Sequence, residues 1–141
     1  MKKVLVLNEF LPQEMLGIMW LSRAIKDAGH DCKALFLPDK DWIEKIREYN
    51  PDVVCYSVTT GMHLYFVDIN KKVKAEFPNV LSVMGGPHPT FSPEELERNP
   101  EFDAICRGEG EECMPEFLDR LEAGEDYYDV ENMWFRNQAT G

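Results

Sequence analysis

Three short stretches hold the residue types that could recognise a ligand: Ser57-Val58-Thr59-Thr60-Gly61-Met62, Gly85-Gly86-Pro87-His88-Pro89-Thr90 and Gly108-Glu109-Gly110-Glu111. Ser57, Thr59 and Thr60 offer compact hydroxyls that donate and accept hydrogen bonds. Gly61, Gly85 and Gly86 have no Cβ, so another group can approach the backbone closely. Pro87 and Pro89 stiffen the second stretch. A glycine pair by itself is most simply a tight turn; the hydroxyl-rich stretch upstream is what makes this pair a candidate site. The chemistry on offer is binding, because no nucleophile–base constellation stands out that this chain alone could use.

Metal chemistry finds little support. The four cysteines, Cys32, Cys55, Cys106 and Cys113, form no CxxC, no Cys/His cluster of zinc spacing and no triad for an iron–sulfur cluster. They read as buried free thiols in a reducing compartment, and only Cys106 and Cys113 are near each other in sequence. His88 lies in the candidate stretch and His63 starts a helix near the same edge. His30 ends a helix at the opposite pole.

The elements that must position these stretches follow from periodicity. Apolar runs at Lys3–Asn8, Cys32–Leu37, Val53–Val58, Val80–Met84 and Phe102–Cys106 read as strands covered on both faces. Between them Met15 to Ala28 has helical spacing and stops at Gly29. Asp41 can cap a helix with Trp42, Ile43, Ile46 and Tyr49 on one face. Met62 to Phe77 carries the stripe Phe66, Ile69, Val73, Phe77. Ser92-Pro93 opens a further helix, and about Glu111 to Glu122 forms the last, with Pro115 near its first turn. Trp20 and Trp42 are expected to pack the helix layer. The acids Glu109, Glu111 and Glu112 read as a solvated helix start.

Five strands alternating with helices predict an α/β fold: a doubly wound, five-stranded parallel sheet of flavodoxin type, order 2-1-3-4-5. A C-terminal strand or half-hairpin is expected over Asn132 to Asn137. Residues 1–124 read as the binding domain and 125–141 as a linker that starts a hairpin toward a missing domain.

In such sheets ligands bind outside the carboxyl ends of the strands, where the order reverses. Here that point lies between the first and third strands, which gathers the three stretches above and the loop from Asn8 to Gly17. Gly17 sits early in a helix, where glycine costs stability unless something packs closely against it. The set suits a large, flat or elongated ligand. It does not suit a dinucleotide, since no GxGxxG follows the first strand, nor a P-loop nucleotide. A receiver domain would want an acidic pair after the first strand and an Asp at the end of the third. A flavin phosphate would want hydroxyls in Glu9-Phe10-Leu11-Pro12-Gln13-Glu14, which has none.

The 141 residues allow one domain with a real core. A net charge of -11 argues against a nucleic-acid partner. No apolar run is long enough for a membrane span or a signal-peptide core, so a cytoplasmic location is expected.

Ser57-Val58-Thr59 followed by Gly85-Gly86 resembles the SxL…GG signature of cobalamin-binding domains, with Thr59 in place of the leucine. The fuller string GGPHPT, then a strand containing Asp103 and then Gly108-Glu109-Gly110-Glu111, resembles the N-terminal cobalamin (vitamin B12)-binding domain of radical S-adenosylmethionine enzymes. The likeness runs from Lys3 to about Glu122. One departure is informative. The DxHxxG loop of classical cobalamin domains, aligned on Gly17, puts Pro12 at the Asp and Glu14 at the His, so that loop has no histidine for the lower face of cobalt. The radical-enzyme branch commonly lacks it too.

The resemblance implies roles. The nucleotide tail of base-off, histidine-off cobalamin would slide down between the first and third strands. Gly85 and Gly86 would leave room for it, Ser57 and Thr59 would hydrogen-bond it, and Gly17 would let the first helix come close. A valine at Gly86 is accordingly expected to weaken binding more than stability. The corrin would rest on Phe10, Leu11 and Met15, on Thr60-Gly61-Met62 and on His88, with Glu14 near the lower cobalt face and Glu109 at corrin amides. Val58, Pro87, Thr90, Gly108 and Gly110 complete the expected cofactor-binding set, with no catalytic residue and no protein ligand to a metal. The implied whole enzyme also uses S-adenosylmethionine and a [4Fe-4S] cluster, held by a radical domain of the same chain, for methyl transfer or radical rearrangement and cyclisation. A cofactor-free flavodoxin-like interaction domain and a stand-alone corrinoid carrier are the alternatives.

Overall fold

A computed structural model describes residues 1–9, 12–37, 40–58, 63–86, 89–90, 92–108 and 110–136, without the side chains of residues 9 and 12–15. The strands are β1 (Lys3–Glu9), β2 (Asp31–Leu37), β3 (Val53–Ser57), β4 (Leu81–Gly85), β5 (Ala104–Cys106) and β6 (Met133–Phe135). The helices are α1 (Pro12–Asp27), α2 (Trp42–Tyr49), α3 (His63–Glu76), α4 (Glu95–Arg98) and α5 (Gly110–Ala123). The sheet order is β2-β1-β3-β4-β5-β6. The first five strands are parallel, in the order expected for a flavodoxin-like fold, and β6 adds to the edge antiparallel to β5.

Strand alternation divides the core in two. Val4, Val6, Val53, Cys55, Val83, Ala104 and Cys106 face α1 and α5, where they meet Ile18, Ile25, Met114, Phe117 and Leu118. Leu5, Leu7, Val54, Tyr56, Met84 and Ile105 face the other way, toward Ile46, Phe66, Ile69, Val73 and Leu96. β6 and the segment before it close the first layer through Tyr127, Tyr128 and Phe135, packed around Phe117.

Three local expectations need correction. The Ser92-Pro93 helix is a single turn, Glu95–Arg98, preceded by a turn in which the Glu95 N–H donates to the Ser92 carbonyl. Pro115 lies inside α5, because the helix already begins at Gly110. Trp20 does not pack the helix layer: it is 61% exposed, with Leu16 and Met19 beside it on the outer face of α1. An i, i+3, i+4 apolar pattern alone cannot tell which side of a helix meets the sheet.

A buried polar network braces the strands that carry the site. Asn70 of α3 accepts from the Tyr56 hydroxyl at 3.0 Å and the Ser82 hydroxyl at 2.7 Å, and donates to the Glu101 carbonyl at 3.1 Å. Asn70→Ala strands both hydroxyls without their acceptor and is expected to cost about 2 kcal/mol, read as a lower urea midpoint.

Candidate cofactor site

The carboxyl ends of β1, β3, β4 and β5 open into a cleft of about 170 Å³ beneath α1 and α5. A cavity of roughly 150 Å³ can hold one aromatic ring, so the space matches a flat ring system. Its floor is Val6, Cys55, Val83 and Cys106. Its walls are Gly17, Ile18 and Leu21 from α1 and Gly110, Glu111 and Met114 from α5, and Ser57, Gly85, Gly86 and Gly108 stand at the strand exits. The cleft includes the β1–β3 switch point.

Among the expected residues, Gly17, Ser57, Gly85, Gly86, Gly108 and Gly110 come together here, and their glycines differ in purpose. A Cβ on Gly17 would meet nothing within 4 Å among the described residues, so none of their contacts explains a helix-interior glycine that costs up to about 1 kcal/mol. A Cβ on Gly85 would have only ordinary contacts, 3.7 Å to the Tyr56 carbonyl oxygen and 4.0 Å to the Cys106 Cβ. Both glycines keep space in the cleft. Gly86 is required by the fold as well. Its φ is +95°, and a Cβ there would lie 2.7 Å from the Val58 nitrogen and 2.9 Å from the Val58 oxygen. The fold therefore requires a glycine at 86 in its own right, while the same residue also lines the cleft. On Gly110 a Cβ would press the Leu21 Cδ1 at 3.2 Å.

Val58 is fully buried in the layer on the opposite face of the sheet, and its N–H donates to the Gly85 carbonyl at 2.8 Å. The Thr90 hydroxyl donates to the Gly86 carbonyl and accepts from the Gly108 N–H, each at 2.9 Å. Arg107 donates to the Thr90 carbonyl and stacks over Trp134 at 4.8 Å. Thr90 thus clasps the loops after β4 and β5 to each other. Phe10, Leu11, Thr59, Thr60, Gly61, Met62, Pro87, His88 and Glu109, and the side chains of Glu14 and Met15, lie outside the described residues.

By sequence Glu111 is a solvated helix-start acid. In the structure it lines the cleft, and its Oε2 is buried with no hydrogen-bond partner among the described residues. It is a ready acceptor for a hydroxyl or amide N–H entering the space. An acid in the first turn of a helix is too common for sequence to flag it. Cys106 and Cys113 are both buried, 2.9 Å apart at sulfur. The Cys106 thiol is pushed up by its hydrogen bond to Cys113 and by burial, and that same bond holds Cys113 down.

His30 sits at the amino-terminal edge of the sheet, away from the cleft. Its Nδ1 accepts from the Lys2 N–H at 3.0 Å, which leaves Nε2 to donate to Asp119 at 2.7 Å. Both ring nitrogens are engaged, so His30 with Asp119 and Glu122 is a structural clamp.

The comparisons with known proteins agree with this architecture. The sequence profile described as "B12 binding domain" matches residues 3–118. The hopanoid C-3 methylase of Methylococcus capsulatus is 30% identical over 118 residues, covering 79% of this chain and 23% of that protein. The anaerobic magnesium-protoporphyrin IX monomethyl ester cyclase of Cereibacter sphaeroides is 35% identical over 114 residues, covering 75% of this chain and 18% of that protein. The chain thus spans about a fifth of the length of these relatives. Among solved structures, the cobalamin-dependent S-adenosylmethionine radical enzyme OxsB, with aqua-cobalamin and S-adenosylmethionine bound, superposes with a TM-score of 0.79 at 20% identity, over 94% of this chain and 20% of that one. With the profile matched along most of its length and the cleft at the switch point of the sheet, this chain belongs to the B12-binding domain family.

Proposed function

We propose that this domain binds cobalamin with the dimethylbenzimidazole tail displaced into the cleft and no protein histidine on cobalt. The observation that carries the reading is the Gly17–Gly85 cradle, two glycines that no protein contact requires, facing a ring-sized space. Glu111 Oε2, a buried acceptor awaiting a donor, also favours it. Ile18, Leu21 and Met114 would cover the tail's apolar faces and exclude water. Ser57 and Glu111 would hydrogen-bond its polar groups. Phe10, Leu11, Glu14 and Met15, with Thr59 to Met62, Pro87, His88 and Glu109, form the proposed corrin seat.

When bound, cobalamin supplies a cobalt centre for methyl transfer or radical chemistry; the protein's part is to bind, orient and shield it. Residues 1–124 act as the cofactor domain together with β6, which pairs with β5 at the edge of the same sheet. The relatives' far greater lengths support a whole enzyme with a radical S-adenosylmethionine domain carrying a [4Fe-4S] cluster. One similar protein is a methylase and another a cyclase, which favours methyl transfer or ring closure as the chemistry of the whole enzyme. No helix among the described residues is long and apolar enough to cross a membrane, which is compatible with work in the cytoplasm.

The test is retention. Purified protein mixed with hydroxocobalamin and desalted is expected to keep a base-off spectrum, unchanged in His30→Ala, His63→Ala and His88→Ala. A folded protein that keeps no cofactor overturns the reading, and a spectrum altered by His63→Ala or His88→Ala overturns its histidine-off part.

A further inference from the structure

Cys106 closes β5 and lines the floor of the cleft, while Cys113 sits in the first turn of α5, whose Gly110 and Glu111 form a wall. Their sulfurs are 2.9 Å apart, and a disulfide needs about 2.05 Å, so closure asks for a shift of under about 1 Å. Cys32 and Cys55 are buried on β2 and β3, and Cys32 shares its hydrogen bond with Ser22. We propose that Cys106 and Cys113 form an oxidisable dithiol in the wall of the cofactor cleft, which a hydroperoxide converts to a disulfide and which bound cobalamin guards.

The chemistry balances with hydrogen peroxide as the oxidant. The pair holds one proton between its sulfurs in the reactive state, with Cys113 favoured as thiolate because it accepts from Cys106 and from backbone N–H groups of α5. The proton crosses to Cys113, and the Cys106 sulfur, which faces the cleft, attacks one peroxide oxygen. The O–O bond breaks, Cys106 becomes a sulfenic acid, and the leaving hydroxide takes the Cys113 proton to give water. Cys113 then attacks the Cys106 sulfur; the S–S bond forms, the S–O bond breaks, and hydroxide leaves. Two electrons pass from the sulfurs to the peroxide. The product ties the exit of β5 to the first turn of α5 and so stiffens one side of the cleft. A ring lying on Cys106 blocks the approach of peroxide. The guarding role rests on the cofactor reading above; the dithiol itself does not.

Peptide mapping by mass spectrometry after peroxide treatment of the cofactor-free protein, with free thiols alkylated, tests the first part. A linked Cys106–Cys113 peptide is expected. It should disappear in Cys106→Ser and Cys113→Ser and persist in Cys32→Ala. Sulfinic acid at either residue without linkage, or linkage to Cys55 instead, overturns the dithiol, and the wild-type map decides this even where a variant misfolds. The second part uses protein shown spectroscopically to retain hydroxocobalamin. At free cobalamin about ten times its Kd, linkage should slow roughly tenfold; an unchanged rate overturns the guarding role. Protein that retains no cobalamin overturns the cofactor reading and the guarding role together, while the peptide map still decides the dithiol.

Discussion

Gly86→Val is expected to cost about 4 kcal/mol of stability, seen as a urea midpoint lower by roughly 2 M at the slope usual for small domains. Two effects add. A β-branched residue at φ +95° carries backbone strain of about 1–3 kcal/mol. Its Cβ also overlaps the Val58 nitrogen at 2.7 Å and oxygen at 2.9 Å, and overpacking costs a further 1–3 kcal/mol or so. Those atoms cannot readily give way. Val58 is fully buried, and its N–H is bonded to the Gly85 carbonyl. Against a usual total of about 5–15 kcal/mol, the variant should be marginally folded with or without cofactor. A Gly86→Val protein with an unchanged midpoint that has lost cobalamin would mean that the glycine is kept for the ligand.

Gly17→Leu should behave in the opposite way. Leucine is a better helix former than glycine by up to about 1 kcal/mol, and nothing among the described residues comes within 4 Å of a Cβ at this position. The unfolding midpoint should stay level or rise. Cobalamin retention should fall by about a hundredfold, equivalent to about 2.7 kcal/mol, because the side chain enters the space beside Ile18 and Leu21. Titration with hydroxocobalamin, read by absorbance, checks it. Wild-type affinity in a folded Gly17→Leu protein would show that the cleft under α1 is not where the tail lies. Together the variants separate a glycine held by the fold from a glycine held open for a guest.

Much of this arrangement was legible beforehand for a plain reason. Short apolar strands alternating with amphipathic helices have few ways to bury both faces of a sheet, and right-handed crossovers remove most of those. The order of the five parallel strands, and with it the switch point, followed. The candidate residues stand out as a set because hydroxyls and glycines at strand exits have little other use in common. Roles within the set do not. Thr90 reads as one more ligand hydroxyl, but its oxygen bonds Gly86 and Gly108. Trp20 reads as core, but it lies on the outer face of α1.

By itself the sequence determined the elements, the parallel doubly wound sheet, and the three exit stretches that must meet at its carboxyl edge. These depend on local periodicity and on chain connectivity, both written along the chain. Only the tertiary structure decided that Gly86 answers to Val58 while Gly17 and Gly85 answer to empty space, that the Glu111 carboxylate turns into the cleft, and that Cys106 and Cys113 meet at their sulfurs. Each of those depends on which side chain from a distant element comes within a few ångströms. Packing sets that distance, and no local pattern records it.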